Sequence, residues 1–211
     1  AMERSELVAE APEGARRVCR ETLSQEEIAA LLVRLGRRGL EVVRLKGGDP
    51  FLFGRRGEEA LALARAGVPF RIVPGVSSLA SVPAAAGIPL THRGLSSQVT
   101  VVSGHDPSAL DLAALARAPG TLVVFMGLAT LGALAAGLVD NGKPAMTPAA
   151  VVSRATTSRQ AVVRAPLGEI AASAAQVEPP ALVVIGEVVA LADVLPACGW
   201  ETAHEQEAVA R

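Results

Sequence analysis

The sequence predicts an α/β protein of two domains with a ligand cleft between them, and three observations predict it. Short apolar runs of strand length alternate with stretches of helical period. Glycine- and proline-rich turns separate them. The alternation halts at Ile88-Pro89-Leu90-Thr91-His92-Arg93-Gly94, which reads as an irregular linker, and then restarts. That interruption places a domain boundary near Gly94, giving domains over 1–94 and 95–211. Strands alternating with helices imply a parallel sheet covered by helices.

The elements follow in order. Ser24-Gln25-Glu26-Glu27 is a capping box, and Ile28, Leu31, Leu32 and Leu35 continue at helical spacing. Gly39 stands where a carboxyl-terminal cap belongs. Residues 41–45 read as a buried strand, 58–66 as a helix ended by Gly67, and 70–73 as a strand stopped by Pro74-Gly75. A small-residue helix over 77–86 ends at Gly87. Beyond the linker, strands are expected near 99–102, 121–126, 149–152, 160–163 and 181–185. Helices are expected near 109–117, 129–139 and 168–175. The polar tail from Ala197 is expected to fray.

Composition narrows the function. Of 211 residues, 50% are hydrophobic and 19% charged, which supports a packed core and argues against disorder. Aromatics are only 2%, with Trp200 the single tryptophan, so Ala, Val and Leu must build that core. The net charge is -1, and no basic stripe is interleaved with aromatics, which argues against nucleic-acid binding. No apolar stretch approaches a membrane span of ~20 residues, and no signal peptide opens the chain. Cys19 and Cys198 lack metal-ligand spacing and read as reduced cytosolic thiols, so a cytoplasmic location is expected.

The most informative segment is Lys46-Gly47-Gly48-Asp49-Pro50, followed by Phe51-Leu52-Phe53-Gly54-Arg55-Arg56-Gly57. A Gly-Gly pair with Asp-Pro is usually only a tight turn. Here the turn follows the carboxyl end of an expected strand, where open α/β sheets bind ligands. It also gathers an acid, a lysine and two arginines around unshielded backbone. No Gly-x-Gly-x-x-Gly and no Gly-Lys-Ser/Thr is present, so the two best-known nucleotide loops are excluded.

The segment from Arg44 to Glu59 resembles the signature of uroporphyrinogen-III C-methyltransferases, within the tetrapyrrole (class III) methylase family. The likeness extends to Val73-Pro74-Gly75-Val76-Ser77-Ser78, Leu90-Thr91-His92-Arg93-Gly94, Ser103-Gly104-His105, Phe125-Met126-Gly127, Ala155-Thr156-Thr157 and Gly186-Glu187-Val188-Val189. These blocks stand in the family's order from Leu23 to Val189. The resemblance implies the tetrapyrrole methylase fold, a homodimer, and S-adenosyl-L-methionine as methyl donor with S-adenosyl-L-homocysteine as product. It places the donor near Gly47, Gly48, Asp49, Leu52, Ser77, Ser78, Met126 and Ala155. Taken alone, Met126 would be core filler, and Ser77 and Ser78 helix caps. Asp49 reads as a turn residue or as a ligand to donor or substrate. Arg55, His92, Arg93 and His105 are the candidates for a carboxylate-rich macrocycle. Guanidinium groups hold carboxylates bidentately, and imidazoles move protons near neutral pH. Each also has an ordinary reading, as a solvated charge or a turn residue.

The implied reaction is methylation of uroporphyrinogen III at C-2 and C-7, giving precorrin-2 for sirohaem or cobalamin. A pyrrole carbon attacks the sulfonium methyl, the carbon–sulfur pair leaves with sulfur, and the carbon then loses its proton to a base or water. No metal is required. The amino terminus departs from the family pattern. The opening strand with its Gly-Pro-Gly-Asp-like loop, and the Val-Gly-Lys segment whose lysine has an acid/base role, have no counterpart, so the first domain is incomplete relative to the family. Those roles do not transfer to Arg20 or Glu21, and the catalytic residues stay unassigned. Two other readings remain open: a family member acting on a later corrin precursor or a protein side chain, and a non-catalytic donor-binding remnant. The chain stops soon after its last strand, which argues against a multifunctional fusion.

Overall fold

Helix α1 (Gln25–Arg37) begins as its capping box requires. The Glu27 amide donates to Ser24 Oγ at 3.1 Å, and the Ser24 amide donates to Glu27 Oε2 at 2.7 Å. Glu26 and Glu27 lie at its positive end and Arg34 and Arg37 at its negative end, both favourable to the helix dipole. α1 buries Ile28 and packs against α2 (Arg56–Arg65). The computed structural model describes residues 8–19 and 23–197. Arg20, Glu21, Cys198, Trp200 and the tail therefore lie outside the described residues, whereas Cys19 is a free, exposed thiol.

The chain separates into two compact units between Ser77 and Ser78, not near Gly94. In the first unit the expected strands over 41–45 and 70–73 do not form, and no strand is present among its described residues. Strand preference reflects fit to a half-buried pleated surface with paired neighbours. Here those neighbours are missing: Val43 is 84% exposed and Val73 66%. An apolar run without a sheet to join stays extended and unpaired.

The second unit carries a five-stranded sheet. Its strands are β1 (Val99–Ser103), β2 (Thr121–Phe125), β3 (Pro148–Ser153), β4 (Ala161–Pro166) and β5 (Ala181–Ile185), in the order β1-β2-β5-β3-β4. Only β1 and β2 pair in parallel. β5 lies antiparallel between β2 and β3, and β4 is antiparallel to β3. The expected parallel sheet is thus a mixed one. The short link from β3 to β4 holds no crossover helix, which forces an antiparallel pair.

Both faces of the sheet are covered, which explains why its central strands read as continuous apolar runs. On one face Leu122, Val124, Val151, Val183 and Ile185 meet Leu131, Leu134 and Leu138 of α5 (Leu131–Asp140) and Ile170 of α6 (Ile170–Ser173). Each fully buried Leu or Ile contributes about 1.5–3 kcal/mol. On the other face Ala150, Val152 and Val184 meet Ala85, Ala86 and Ile88 from α3 (Ser78–Ala85) and its exit, with Val188 and Val189. This contact is why residues 78–94 belong to the second unit. The expected helix over 109–117 is a 3₁₀ turn (Pro107–Ala109) followed by α4 (Leu112–Arg117), which Asp111 caps through the Ala114 amide at 2.8 Å.

Candidate functional site

The glycine loop of the first unit is held by its own polar groups. Asp49 Oδ1 accepts from the Phe51 amide at 2.8 Å and the Leu52 amide at 3.2 Å, an Asx turn. Its Oδ2 takes the Gly75 amide at 3.4 Å. Lys46 Nζ donates to the Gly54 carbonyl at 2.7 Å, tying the two ends of the loop. Gly48 has φ +70°, and a Cβ on Gly75 would stand 2.5 Å from the Gly48 carbonyl oxygen. The two glycine turns therefore touch backbone to backbone. Phe53 and Arg55 also adopt left-handed φ, at 50° and 56°. Such residues cost about 1–3 kcal/mol each and persist where their surroundings impose them.

The outer side of the loop is open. Gly47 is exposed, and a Cβ there would meet nothing within 4 Å. Leu52 and Ser77 are partly buried. Arg55 is exposed, and its fork grips Glu58 with two bonds of 2.9 Å. Through that hydrogen bond Glu58 raises the Arg55 pKa, and Arg55 holds the Glu58 carboxyl below the ordinary range.

In the second unit β2 and β3 are both antiparallel to β5, so β1, β2 and β3 all end at one edge of the sheet. Three turns meet that edge, at Gly104-His105, Met126-Gly127 and Arg154-Ala155-Thr156. The Gly104 amide donates to the Phe125 carbonyl at 2.7 Å, and a Cβ on Gly104 would lie 2.8 Å from Gly127 Cα. Only hydrogen at Gly104 lets the two turns approach so closely, and a Cβ on Gly127 would strike Val124 Cγ1 at 2.7 Å. Thr130 Oγ1 donates to the Gly104 carbonyl at 2.5 Å.

Backbone strain collects at this edge. Met126, Arg154 and Thr156 have φ of 54°, 47° and 65°. Met126 is 50% exposed, so it is not core filler, whereas Ala155 is buried. The Thr156 amide donates to Gln160 Oε1 at 2.8 Å, and Gln160 Nε2 donates to the Ala85 carbonyl at 3.1 Å. That side chain fastens the strained turn to α3. Sequence reading of single positions could not have found the strained turn at Arg154 and Thr156, because left-handed backbone at a non-glycine residue leaves no mark in composition.

The unit brings Met126, Ala155 and His105 to one edge, and Ser78 opens α3. His105 is exposed, and its neighbour Asp106 caps the following turn. Hydrogen bonds from the Ser108 side chain and amide hold the Asp106 carboxyl below the ordinary range. His92 and Arg93 lie elsewhere. They line a shallow depression with Thr91, Gly94, Ser96 and Ser97. Ser96 Oγ bonds Thr121 Oγ1 at 2.9 Å, and Thr121 Oγ1 donates to the Leu90 carbonyl at 2.8 Å. Thr121 opens β2, so this turn sits at the edge opposite Met126, a strand of five residues away. Among the described residues no three His, Cys, Asp or Glu gather as metal ligands, and no helix is long and apolar enough to cross a membrane.

Known proteins resemble this chain. The family of tetrapyrrole (corrin/porphyrin) methylases matches residues 2–171. The siroheme synthase of Chromobacterium violaceum is 47% identical over 192 residues, which are 89% of this chain and 40% of that protein. The siroheme synthase of Sodalis glossinidius is 48% identical over 179 residues, covering 83% and 38%. The chain thus spans about 40% of the length of the curated relatives it matches. The uroporphyrin-III C-methyltransferase of Thermus thermophilus, solved with S-adenyl homocysteine, is 47% identical with a TM-score of 0.70, over 79% of this chain and 75% of that one. A cobalt precorrin-4 methyltransferase is 26% identical with a TM-score of 0.78, over 87% and 80%. This chain belongs to the tetrapyrrole methylases.

Proposed function

We propose that the chain methylates carbon atoms of uroporphyrinogen III with S-adenosylmethionine, at C-2 and C-7, giving precorrin-2. The observation that carries this reading is the glycine loop over 46–55. Its main chain is braced from within by Asp49 and Lys46 yet open on its outer side at Gly47. That is a cradle for a ligand that uses backbone groups. The likeness of 47% to a uroporphyrin-III enzyme, against 26% to a precorrin-4 enzyme, supports the substrate.

The donor supplies an electrophilic sulfonium methyl. The work left to the protein is to bind, orient and exclude water, which is worth several kcal/mol in a two-substrate transfer. In the first unit the proposed donor contacts are Gly47, Gly48, Asp49, Leu52 and Ser77. In the second they are Ser78, Met126 and Ala155. Arg55, His92, Arg93 and His105 are proposed to meet the substrate's carboxylates. The base that takes the pyrrole proton is unassigned. The reading includes a homodimer and a cytoplasmic location, both implied by family resemblance. A monomer mass by light scattering at micromolar concentration would remove the dimer.

The test is a substrate panel with methyl-labelled donor. Label should appear in uroporphyrinogen III as a dimethylated product and not in later corrin precursors or in protein. Label only in a later precursor overturns the substrate. No transfer, with S-adenosylhomocysteine still bound, favours a non-catalytic donor-binding protein.

A further inference from the structure

Glu59 is a buried carboxylate, 3% exposed, on which both feet of the glycine loop converge. Arg44 stands just before the loop, and Arg56 is the first residue of α2 just after it. Glu59 Oε2 takes Arg56 Nη1 in a close ion pair and lies 3.6 Å from Arg44 Nε. Its other oxygen, Oε1, accepts from Gln25 Nε2 of α1 at 2.8 Å. One side chain therefore joins the residue before the loop, the residue after it, and the helix beneath.

A purely stabilising role explains this poorly. Buried ion pairs rarely outperform apolar packing, and Arg44 Nε lies 3.6 Å from Glu59 Oε2, beyond hydrogen-bond distance. Among the described residues Arg44 Nε and Nη2 are buried and make no hydrogen bond. What the cluster does supply is geometry, because it fixes the separation of the loop's two ends. Between those ends lie Gly48, Phe53 and Arg55, each at positive φ. Such a conformation survives only if its ends are held.

We propose that Glu59 is a positioning residue for the methyl donor: through Arg44 and Arg56 it holds the loop at the spacing in which its backbone takes the donor. It sets donor affinity and not the rate of transfer. The inference rests on reading the glycine loop as the donor site.

The test is calorimetry of S-adenosylhomocysteine on the full chain, with steady-state kinetics beside it. Gly48→Val is the control for the underlying reading: a valine at φ +70° is strained. If that variant, folded, binds normally, the loop is not the donor site, and the proposal falls with that reading. Glu59→Gln removes the buried charge that Arg44 and Arg56 face and can unfold the unit. The decisive variant is therefore Arg44→Gln, which preserves the Arg56–Glu59 pair. A folded Arg44→Gln should weaken the product analogue and raise donor KM about tenfold, with kcat at saturating donor and macrocycle KM within twofold. Arg44→Lys should recover part of the loss. Gln25→Ala, which keeps both ion pairs, should weaken binding about threefold. If Gly48→Val abolishes binding while Arg44→Gln and Gln25→Ala bind within twofold of the parent, Glu59 does not position the loop. Lower thermal midpoints with unchanged donor KM likewise overturn the positioning role.

Discussion

Substituting Asp49 by Asn and by Ala separates two jobs open to one carboxylate. As a turn residue, Asp49 orders the loop through Oδ1, which accepts the Phe51 and Leu52 amides, and links it to the second glycine turn through the longer contact from Gly75. As a ligand, it would act through its charge. Alanine removes all three contacts. At about 1 kcal/mol each for a partly buried group, that is roughly 2–3 kcal/mol, or about 30–150-fold in donor affinity. Asparagine keeps an oxygen for the two short contacts and loses only the long one, so it should cost under about 1 kcal/mol, at most fivefold. S-adenosylhomocysteine calorimetry on both variants, each shown folded by circular dichroism, measures the difference. If Asn weakens binding as much as Ala, the charge itself is required, and loop ordering does not account for Asp49.

Three further outcomes are expected. Arg55→Ala should raise the macrocycle KM about tenfold with donor affinity within twofold, and Arg55→Lys should recover part of it, because an ammonium lacks the planar fork; collapse of donor binding instead would assign Arg55 to the other ligand. Burial lowers the pKa of Lys143, whose Nζ donates to the Ala116 carbonyl at 3.4 Å. Between that lowered value and the ordinary 10.5 the unfolded chain binds the proton and the folded chain does not, so stability rises with pH there. The stability advantage of Lys143→Met, measured by urea unfolding, should be largest at pH 7 and shrink as pH approaches 10.5; an advantage independent of pH would refute the ionisation argument. Leu134→Ala, at a fully buried α5 position, should cost about 2–5 kcal/mol in the same assay.

Fold class was legible because the second unit's elements are locally consistent. The runs over 99–103 and 181–185 are apolar and short, and each is bounded by polar or turn residues. The capping box at Ser24 announced α1 with its own chemistry. Strand order was not legible. Nothing local distinguishes β5 inserted antiparallel between β2 and β3 from β5 at an edge, since both bury Val183 and Val184 equally well. The same limit explains 41–45 and 70–73, where strand-like residues lie without partners. Apolar pattern reports what a segment can join, and pairing decides whether it joins anything.

The candidate site divides along the same line. Lys46-Gly47-Gly48-Asp49-Pro50 was readable because no regular structure accommodates it, and the structure finds a turn there that Asp49 caps. His92 and Arg93 lie at the edge of the sheet opposite Met126, because a strand carries the chain away between Ser96 and Gly104. Met126 shows the reverse. Its sequence context is an apolar strand, which predicts burial, yet the residue turns to positive φ and half exposure directly after β2. A methionine at that point gains little burial and bears backbone strain, so packing alone gives no reason for the conformation. The close approach of Gly104 and Gly127 beside it supplies the constraint, and presentation of the side chain at the strand ends supplies a use. Strain imposed by neighbours and spent on exposure makes Met126 a position to test for binding, and it becomes visible only once the strands are assembled.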